Sequence, residues 1–370
     1  MRAALLEVPT LKLSVAELAV AEPGPGEVLV ATAAAGLCHS DLHVLDGHLP
    51  MRGASVLGHE ASGVVVAVGP GVRRVEPGDH VVTCLSVFCG RCALCLRGQT
   101  WLCTDKQSTE RPADAEPRLA LAGPGGAAVS AHASIGGLAE RLLVHENAVV
   151  AIRKDMPLDV AAILGCAVTT GVGAAFNSAD IRAGESVAVI GCGGIGLNIV
   201  QGARLRGAGQ IAAVDLVAAK RELALAVGAT AGIDASGDPG AAAAEVAALT
   251  GGLGADHVFD AVGIEATNAQ ALAMTRPGGT MYVVGINGMA GSVTVPGYAM
   301  WAQGKTVRGV HMGSNNFTVD LPRYVDLYMQ GRLRLDELVS QRIGLDEVAD
   351  GYEALRQGEV ARAVVVFAQP

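Results

Sequence analysis

Ser186-Val187-Ala188-Val189-Ile190-Gly191-Cys192-Gly193-Gly194-Ile195-Gly196 is the stretch that decides the fold of this chain. A short apolar run ends at Ile190 and passes directly into a G-x-G-x-x-G spacing, followed by a helical pattern. Each glycine of such a turn has a mechanical task. Gly191 makes the tight turn, Gly193 lets backbone approach a pyrophosphate, and Gly196 allows close packing of helix on strand. The helix opened by Gly194 and Ile195 offers its amides and positive dipole end to phosphates. The next strand, Ile211 to Asp215, ends in a carboxylate placed to bond a ribose 2′-hydroxyl and to repel a 2′-phosphate, which favours NAD over NADP. Glycine spacing alone is a weak signal in a chain with 49 glycines, and a tight turn with a capping acid would look the same. Its coincidence with strand and acid gives it force.

Downstream of this turn, His257 to Asp260, Thr280 to Val284 and Thr306 to His311 continue an alternation of apolar strands with helical stretches, the grammar of a parallel doubly wound sheet. Upstream the pattern changes to short β segments with turn punctuation: Glu27 to Ala31, Gly63 to Val68, and Asp79 to Thr83 after Glu76-Pro77-Gly78. These read as an antiparallel, barrel-like domain. The Pro/Gly/Ala-rich segment from Lys106 to Ala133 has little periodicity and is expected to be a long loop. Helices and a final strand, Val364 to Phe367, return after Asn315. The expected class is therefore α/β, with a Rossmann-type domain at 168–310 inserted in a mainly antiparallel β domain formed by 1–167 and 311–370. A chain of 370 residues is long enough to divide in this way.

Hydrophobic residues make up 51% of the chain and charged ones 17%, a globular balance, and the net charge of -9 without a basic run excludes a nucleic-acid partner. Glu7, Pro9, Lys12 and Glu17 interrupt the N-terminus, which offers neither a signal-peptide core nor a membrane span, so a cytoplasmic protein without a membrane partner is expected. In a reducing compartment, clustered thiols point to metal before disulfide. Cys89, Cys92, Cys95 and Cys103 form C-x2-C-x2-C-x7-C within a lobe at 84–106. Four thiolates at this spacing can close a tetrahedral zinc shell that leaves no room for substrate, and an iron–sulfur cluster is the competing occupant. Cys84 and Cys192 have no evident partner and read as ordinary buried thiols.

Three further runs are scattered and composition does not group them: Gly36-Leu37-Cys38-His39-Ser40-Asp41, Gly58-His59-Glu60 and Gly165-Cys166. With the lobe and the glycine turn, in this order over nearly the whole chain, they make it similar to the zinc alcohol dehydrogenase branch of the medium-chain dehydrogenase/reductase family. The resemblance implies a GroES-like catalytic domain, two zinc ions per chain and NAD(H). It also implies that Cys38, His59 and Cys166 bind a catalytic zinc, with Glu60 beside the metal as an outer or exchangeable ligand. Two thiolates and one imidazole leave a fourth position for water or alcohol. By the same resemblance, Ser40 takes the substrate's proton and passes it toward His43, and Asp41 holds the imidazole of His59. His39, Lys220 and Arg362 are implied as cofactor contacts. Leu49 and Leu85 are implied as walls of an aliphatic pocket for a primary or aryl alcohol or aldehyde. The long 106–133 segment resembles that of dimeric relatives, which implies a homodimer.

Two alternatives bound this reading. Glutathione-dependent formaldehyde dehydrogenases share the Cys-His-(Thr/Ser)-Asp run, but Leu49 and Gln107 stand where that subgroup carries an acid and an arginine. A catalytically idle nucleotide-binding protein would be free to lose a zinc ligand or the Ser40 hydroxyl, and none is missing. His39 departs from the arginine common at its position, and a histidine holds only partial charge at neutral pH.

Overall fold

The computed structural model of the protein describes residues 1–51, 53–112, 114–285, 291–358 and 362–368. The chain divides into two compact units, one made of Met1–Cys166 with Asn316–Pro370 and the other of Ala167–Asn315.

The first unit is organised by one long strand, Glu27–Gly36, almost continuously buried. It lacks the inside–outside alternation of a half-exposed strand because both of its faces are covered. Glu60–Val68 pairs with it antiparallel on one side, and Arg141–His145 and Ala363–Val366 on the other. His80–Thr83, Val149–Ile152 and Gln341–Ile343 complete a seven-stranded sheet. Val28, Val30, Leu57, Val65, Val81, Leu142, Val144 and Val365 form its core. A small closed barrel stands beside the sheet, built from Arg2–Glu7, Lys12–Val20, Leu119–Leu121, Ala128–Ala131 and Ser55–Val56. The 106–133 segment is therefore not the structureless loop its composition suggests. Leu119 and Val129 bury themselves in the barrel core, and strands of three and four residues are too short to impose a visible period.

The second unit is a six-stranded parallel sheet in the order Ala231–Asp234, Gln210–Asp215, Ser186–Ile190, Ala255–Asp260, Thr275–Val283, Thr306–Gly309. Numbered along the chain this is 3-2-1-4-5-6, the doubly wound dinucleotide order, and the crossovers include the helices Gly194–Leu205, Ala218–Val227, Pro239–Leu249 and Glu265–Met274. Its boundary falls after Asn315 rather than at residue 310. Residues 311–315 stay with this unit because Asn177 donates to the Gly313 carbonyl at 3.3 Å and the hydroxyls of Ser178 and Ser314 meet at 2.9 Å.

Candidate metal centres

The four lobe cysteines converge through a tight local chain path. Cys92 caps the short helix Ala93–Leu96, accepting from the Cys95 amide, and the amides of Arg91 and Cys92 both point at Cys89 Sγ, at 3.4 and 3.3 Å. The Cys89 amide reaches Cys103 Sγ at 3.2 Å. These amides favour thiolates, and those of Cys95 and Thr104 hold Cys92 down at about 5. All four sulfurs lie within 4.8 Å of one another, with Cys89–Cys95 at 3.9 Å and Cys92–Cys103 at 4.0 Å. A tetrahedron with zinc–sulfur bonds of about 2.3 Å places its sulfurs about 3.8 Å apart. The donor set therefore fits a closed four-sulfur site, and the cysteines are not joined as disulfides.

A second cluster is assembled by segments far apart in sequence. Cys38 sits at the N-cap of the helix His39–Leu45, His59 and Glu60 stand at the start of Glu60–Val68, and Cys166 follows the turn Ala162–Gly165. Donor atoms from Cys38, His59, Glu60 and Cys166 lie within 4.8 Å of one another, and all four residues are buried. Gly58 makes the approach possible. It adopts φ +87°, and a Cβ there would stand 2.8 Å from the Leu138 backbone nitrogen.

Buried ionisable groups shift one another strongly in this cluster. A hydrogen bond from Cys166 holds the Cys38 thiol well below its usual range. Burial pushes Glu60 up to about 8, against the pull of Arg362 and with the push of Cys38. Burial would drive proton from His59, yet the charges of Asp41 and Cys38 outweigh it and raise that imidazole well above normal. Among the described residues neither His59 Nε2 nor Glu60 Oε2 has a hydrogen-bond partner, whereas Glu60 Oε1 has the Arg362 guanidinium at 3.1 Å. A buried polar atom left this way costs about 1–3 kcal/mol. A divalent ion among the four donors removes that deficit, so these residues too fit a metal.

The two family models that match this chain are a zinc-binding dehydrogenase, over residues 194–328, and an alcohol dehydrogenase GroES-like domain, over residues 24–154. The NDMA-dependent alcohol dehydrogenase of Amycolatopsis methanolica is 40% identical over 99% of this chain and 98% of its own. An alcohol dehydrogenase zinc-binding domain protein from Burkholderia ambifaria superposes with a TM-score of 0.93 at 32% identity, covering 100% of this chain and 99% of that one. This chain belongs to the zinc-dependent alcohol dehydrogenases of the medium-chain dehydrogenase/reductase family. Benzyl alcohol dehydrogenase from Acinetobacter calcoaceticus is a further structural neighbour of this dehydrogenase, with a TM-score of 0.91, 30% identity and 99% of each chain covered. The family uses zinc and a nicotinamide cofactor and acts on small alcohols.

Around the open cluster of the dehydrogenase, Asp41 is fully buried, and its Oδ1 faces His59 Nδ1 at 3.3 Å. Burial pushes Asp41 up, but His59 and His132 together hold it well below the usual carboxylate range. Ser40 Oγ stands 3.7 Å from Cys38 Sγ, and His43 lies one helical turn further along His39–Leu45, its ring 5.9 Å from that of His48. His39 is exposed at the start of this helix. Leu49 packs against the core of the first unit, and Leu85, half-buried, adjoins the buried Cys84. Arg362, implied as a cofactor contact, stands beside Glu60. It is buried, donates to the Leu37 carbonyl at 2.8 Å and pairs with Glu60 Oε1 at 3.1 Å, because Ala363–Val366 runs beside Glu27–Gly36 and carries it inward.

In the second unit Gly191 adopts φ +87°, and a Cβ on Gly196 would stand 1.8 Å from the Gly191 carbonyl oxygen. Among the described residues nothing lies within 4 Å of a Cβ built on Gly193, at the N-cap of Gly194–Leu205. Space kept clear of protein there fits a cofactor phosphate. Asp215 accepts from the amides of Cys192 at 2.7 Å and Val217 at 2.9 Å, which fix its carboxylate at the strand end. Lys220 is half-buried in the first turn of the following helix, Ala218–Val227. Sequence reasoning missed His132, whose Nδ1 meets Asp41 Oδ1 at 2.9 Å. No spacing rule could have found it in a segment that reads as loop.

Proposed function

We propose that this dehydrogenase interconverts a primary or aryl alcohol and its aldehyde with NAD(H), the net reaction moving one hydride to NAD and releasing one proton. The observation that carries the reading is the buried quartet of Cys38, His59, Glu60 and Cys166, whose imidazole nitrogen Nε2 has no hydrogen-bond partner among the described residues. Cys38, His59 and Cys166 would hold a zinc ion, which would supply a Lewis acid that makes a bound hydroxyl easier to deprotonate. Asp41 keeps the His59 proton on Nδ1 and so leaves Nε2 for the metal. Arg362 holds one carboxyl oxygen of Glu60, so Glu60 would be an outer or exchangeable ligand and the fourth position would be open to substrate. Ser40 accepts the substrate's hydroxyl proton. His43, three residues on and on the same helix face, takes it toward solvent. Leu49 and Leu85 supply apolar walls, and the benzyl alcohol neighbour makes aryl alcohols the first substrates to try.

In the nucleotide unit Asp215 selects NAD, since its carboxylate bonds a 2′-hydroxyl and repels a 2′-phosphate. The cysteine lobe holds the second zinc, with a structural role. Two features of this unit support a homodimer. Thr306–Gly309 is an edge strand of the sheet, and the neighbouring helix Gly297–Trp301 exposes Tyr298 and, at 85%, Trp301.

Metal analysis together with a panel of primary, secondary and aryl alcohols, monitored for NADH, tests the reading. Two zinc ions per chain and turnover of primary or aryl alcohols are expected. Cys38→Ser should keep one zinc and lose turnover. Full turnover by that variant would refute the catalytic assignment. A single-turnover burst in place of continuous NADH formation would mean that the cofactor stays bound and needs a second substrate to recycle it.

A further inference from the structure

Asp41 carries more donors than the orientation of one imidazole requires. Its Oδ1 faces His59 Nδ1 at 3.3 Å, the Gly58 amide at 3.3 Å and His132 Nδ1 at 2.9 Å, and its Oδ2 accepts from the Cys38 amide at 3.3 Å. The shorter imidazole contact belongs to the residue that no ligand role explains. The His132 side chain is 15% exposed, and its ring meets that of His59 edge-on, with centroids 5.5 Å apart.

The backbone is shaped to bring this side chain in. Gly137 donates to the Gly58 carbonyl at 2.8 Å and Leu138 to that of Leu57 at 2.9 Å, so the segment after His132 lies along the segment that ends in His59. The His132 carbonyl accepts from the amides of Ile135 and Gly136, and the two residues between adopt left-handed conformations, Ala133 at φ 54° and Ser134 at φ 61°. Such conformations cost about 1–3 kcal/mol each in residues other than glycine, and they persist where the surroundings impose them.

We infer that His132 is a positioning residue for the Cys38–His59–Cys166 zinc site: by holding Asp41 Oδ1 it fixes the carboxylate that aims His59 Nε2 at the metal. A carboxylate held by a single imidazole can rotate and carry that imidazole with it. Two imidazoles and two amides on one buried carboxylate leave it a single orientation, and the ligand inherits that rigidity. The inference rests on the zinc-ligand reading above. It makes the 106–133 segment, through its last residues, part of the metal site's support.

Zinc release from the purified holoenzyme to excess EDTA, followed with a chromophoric zinc indicator, tests this. His132→Leu keeps bulk and removes the donor, and His132→Asn keeps a donor nitrogen close to the place of Nδ1. Partners of metal-bound histidines typically change affinity 10–100-fold, and His132 acts one residue further out, so release of one zinc per chain should be about tenfold faster in His132→Leu. His132→Asn should stay close to wild type, and release from the cysteine lobe should not change in either. Cobalt(II) in the same site should show a shifted visible band in His132→Leu but not in His132→Asn. Equal release from all three proteins overturns the inference, and so does His132→Asn releasing as fast as His132→Leu. If His132→Leu does not fold, His132→Gln, whose amide lies one methylene too far, takes its place with the same expectation. A wild-type protein with no zinc that depends on Cys38 refutes the ligand assignment instead, a result distinct from all of these.

Discussion

Gly58→Ala puts the geometry of the open site to a quantitative test. Gly58 adopts φ +87°, and an added Cβ would lie 2.8 Å from both the backbone nitrogen and Cγ of Leu138. The left-handed backbone alone costs an L-residue about 1–2 kcal/mol. The contact adds about 1–3 kcal/mol, as overpacking does elsewhere, because the backbone it meets cannot rotate away. The expected loss is therefore about 2–5 kcal/mol. Gly71 is the matched control, since it adopts φ +83° with nothing within 4 Å of its added Cβ. Gly71→Ala should lose only the conformational part, about 1–2 kcal/mol. At about 2–4 °C per kcal/mol for a unit of this size, the two melting shifts are about 4–20 °C and about 2–8 °C. Differential scanning fluorimetry of the zinc-loaded proteins measures both, and zinc content and kcat complete the assay. Gly58→Ala should also lose zinc and turnover, because His59 is the next residue. Equal shifts for the two variants, or wild-type zinc content and turnover in Gly58→Ala, would show that the Leu138 contact does not constrain the site.

Cys95→Ser should release the lobe zinc and lower thermal stability, while any folded fraction keeps its turnover, because a closed four-sulfur site contributes to folding rather than chemistry; retained stability after zinc loss would contradict this. Glu27, 2% exposed, accepts from Arg111 and Arg118, and Glu27→Gln should cost about 3–5 kcal/mol in denaturant unfolding, since two enclosed guanidinium groups lose their counter-charge. Burial pushes the Glu27 carboxyl up, but those arginines pull it below the ordinary glutamate range, so its contribution is present above that range and lost as the pH falls through the lower folded value; a gap between variant and wild type that persists in strong acid would contradict the ion-pair account. Asp215→Ser should lower kcat/KM for NAD about 10–100-fold, as for loss of a charged hydrogen bond of about 1.5–3 kcal/mol, and raise it for NADP; unchanged preference would remove Asp215 from cofactor selection.

What could be read from the amino acids follows the range over which each signal acts. The dinucleotide unit was legible because Ile190, the three spaced glycines and Asp215 lie in one strand-turn-helix-strand segment with a fixed period. The lobe was legible because four thiols fall within a few turns of chain. The open site was grouped only through resemblance, since Cys38, His59 and Cys166 come from separate segments and each alone reads as a buried side chain. The barrel strands Leu119–Leu121 and Ala128–Ala131 stayed hidden because their pairing partners, not their own composition, make them strands. The burial of Arg362 was hidden for the same reason: the strand that carries it inward pairs with Glu27–Gly36, far earlier in the chain.

The antiparallel pairing of Ala363–Val366 with the Glu27–Gly36 strand fixes when the enzyme can mature. Synthesis runs from the N-terminus, so Cys38, His59 and Cys166 are made well before the arginine that pairs with Glu60. A chain stalled before residue 362 would have all four members of the buried cluster but no guanidinium beside Glu60, and no partner for the Ala34–Gly36 edge that Val364–Val366 covers.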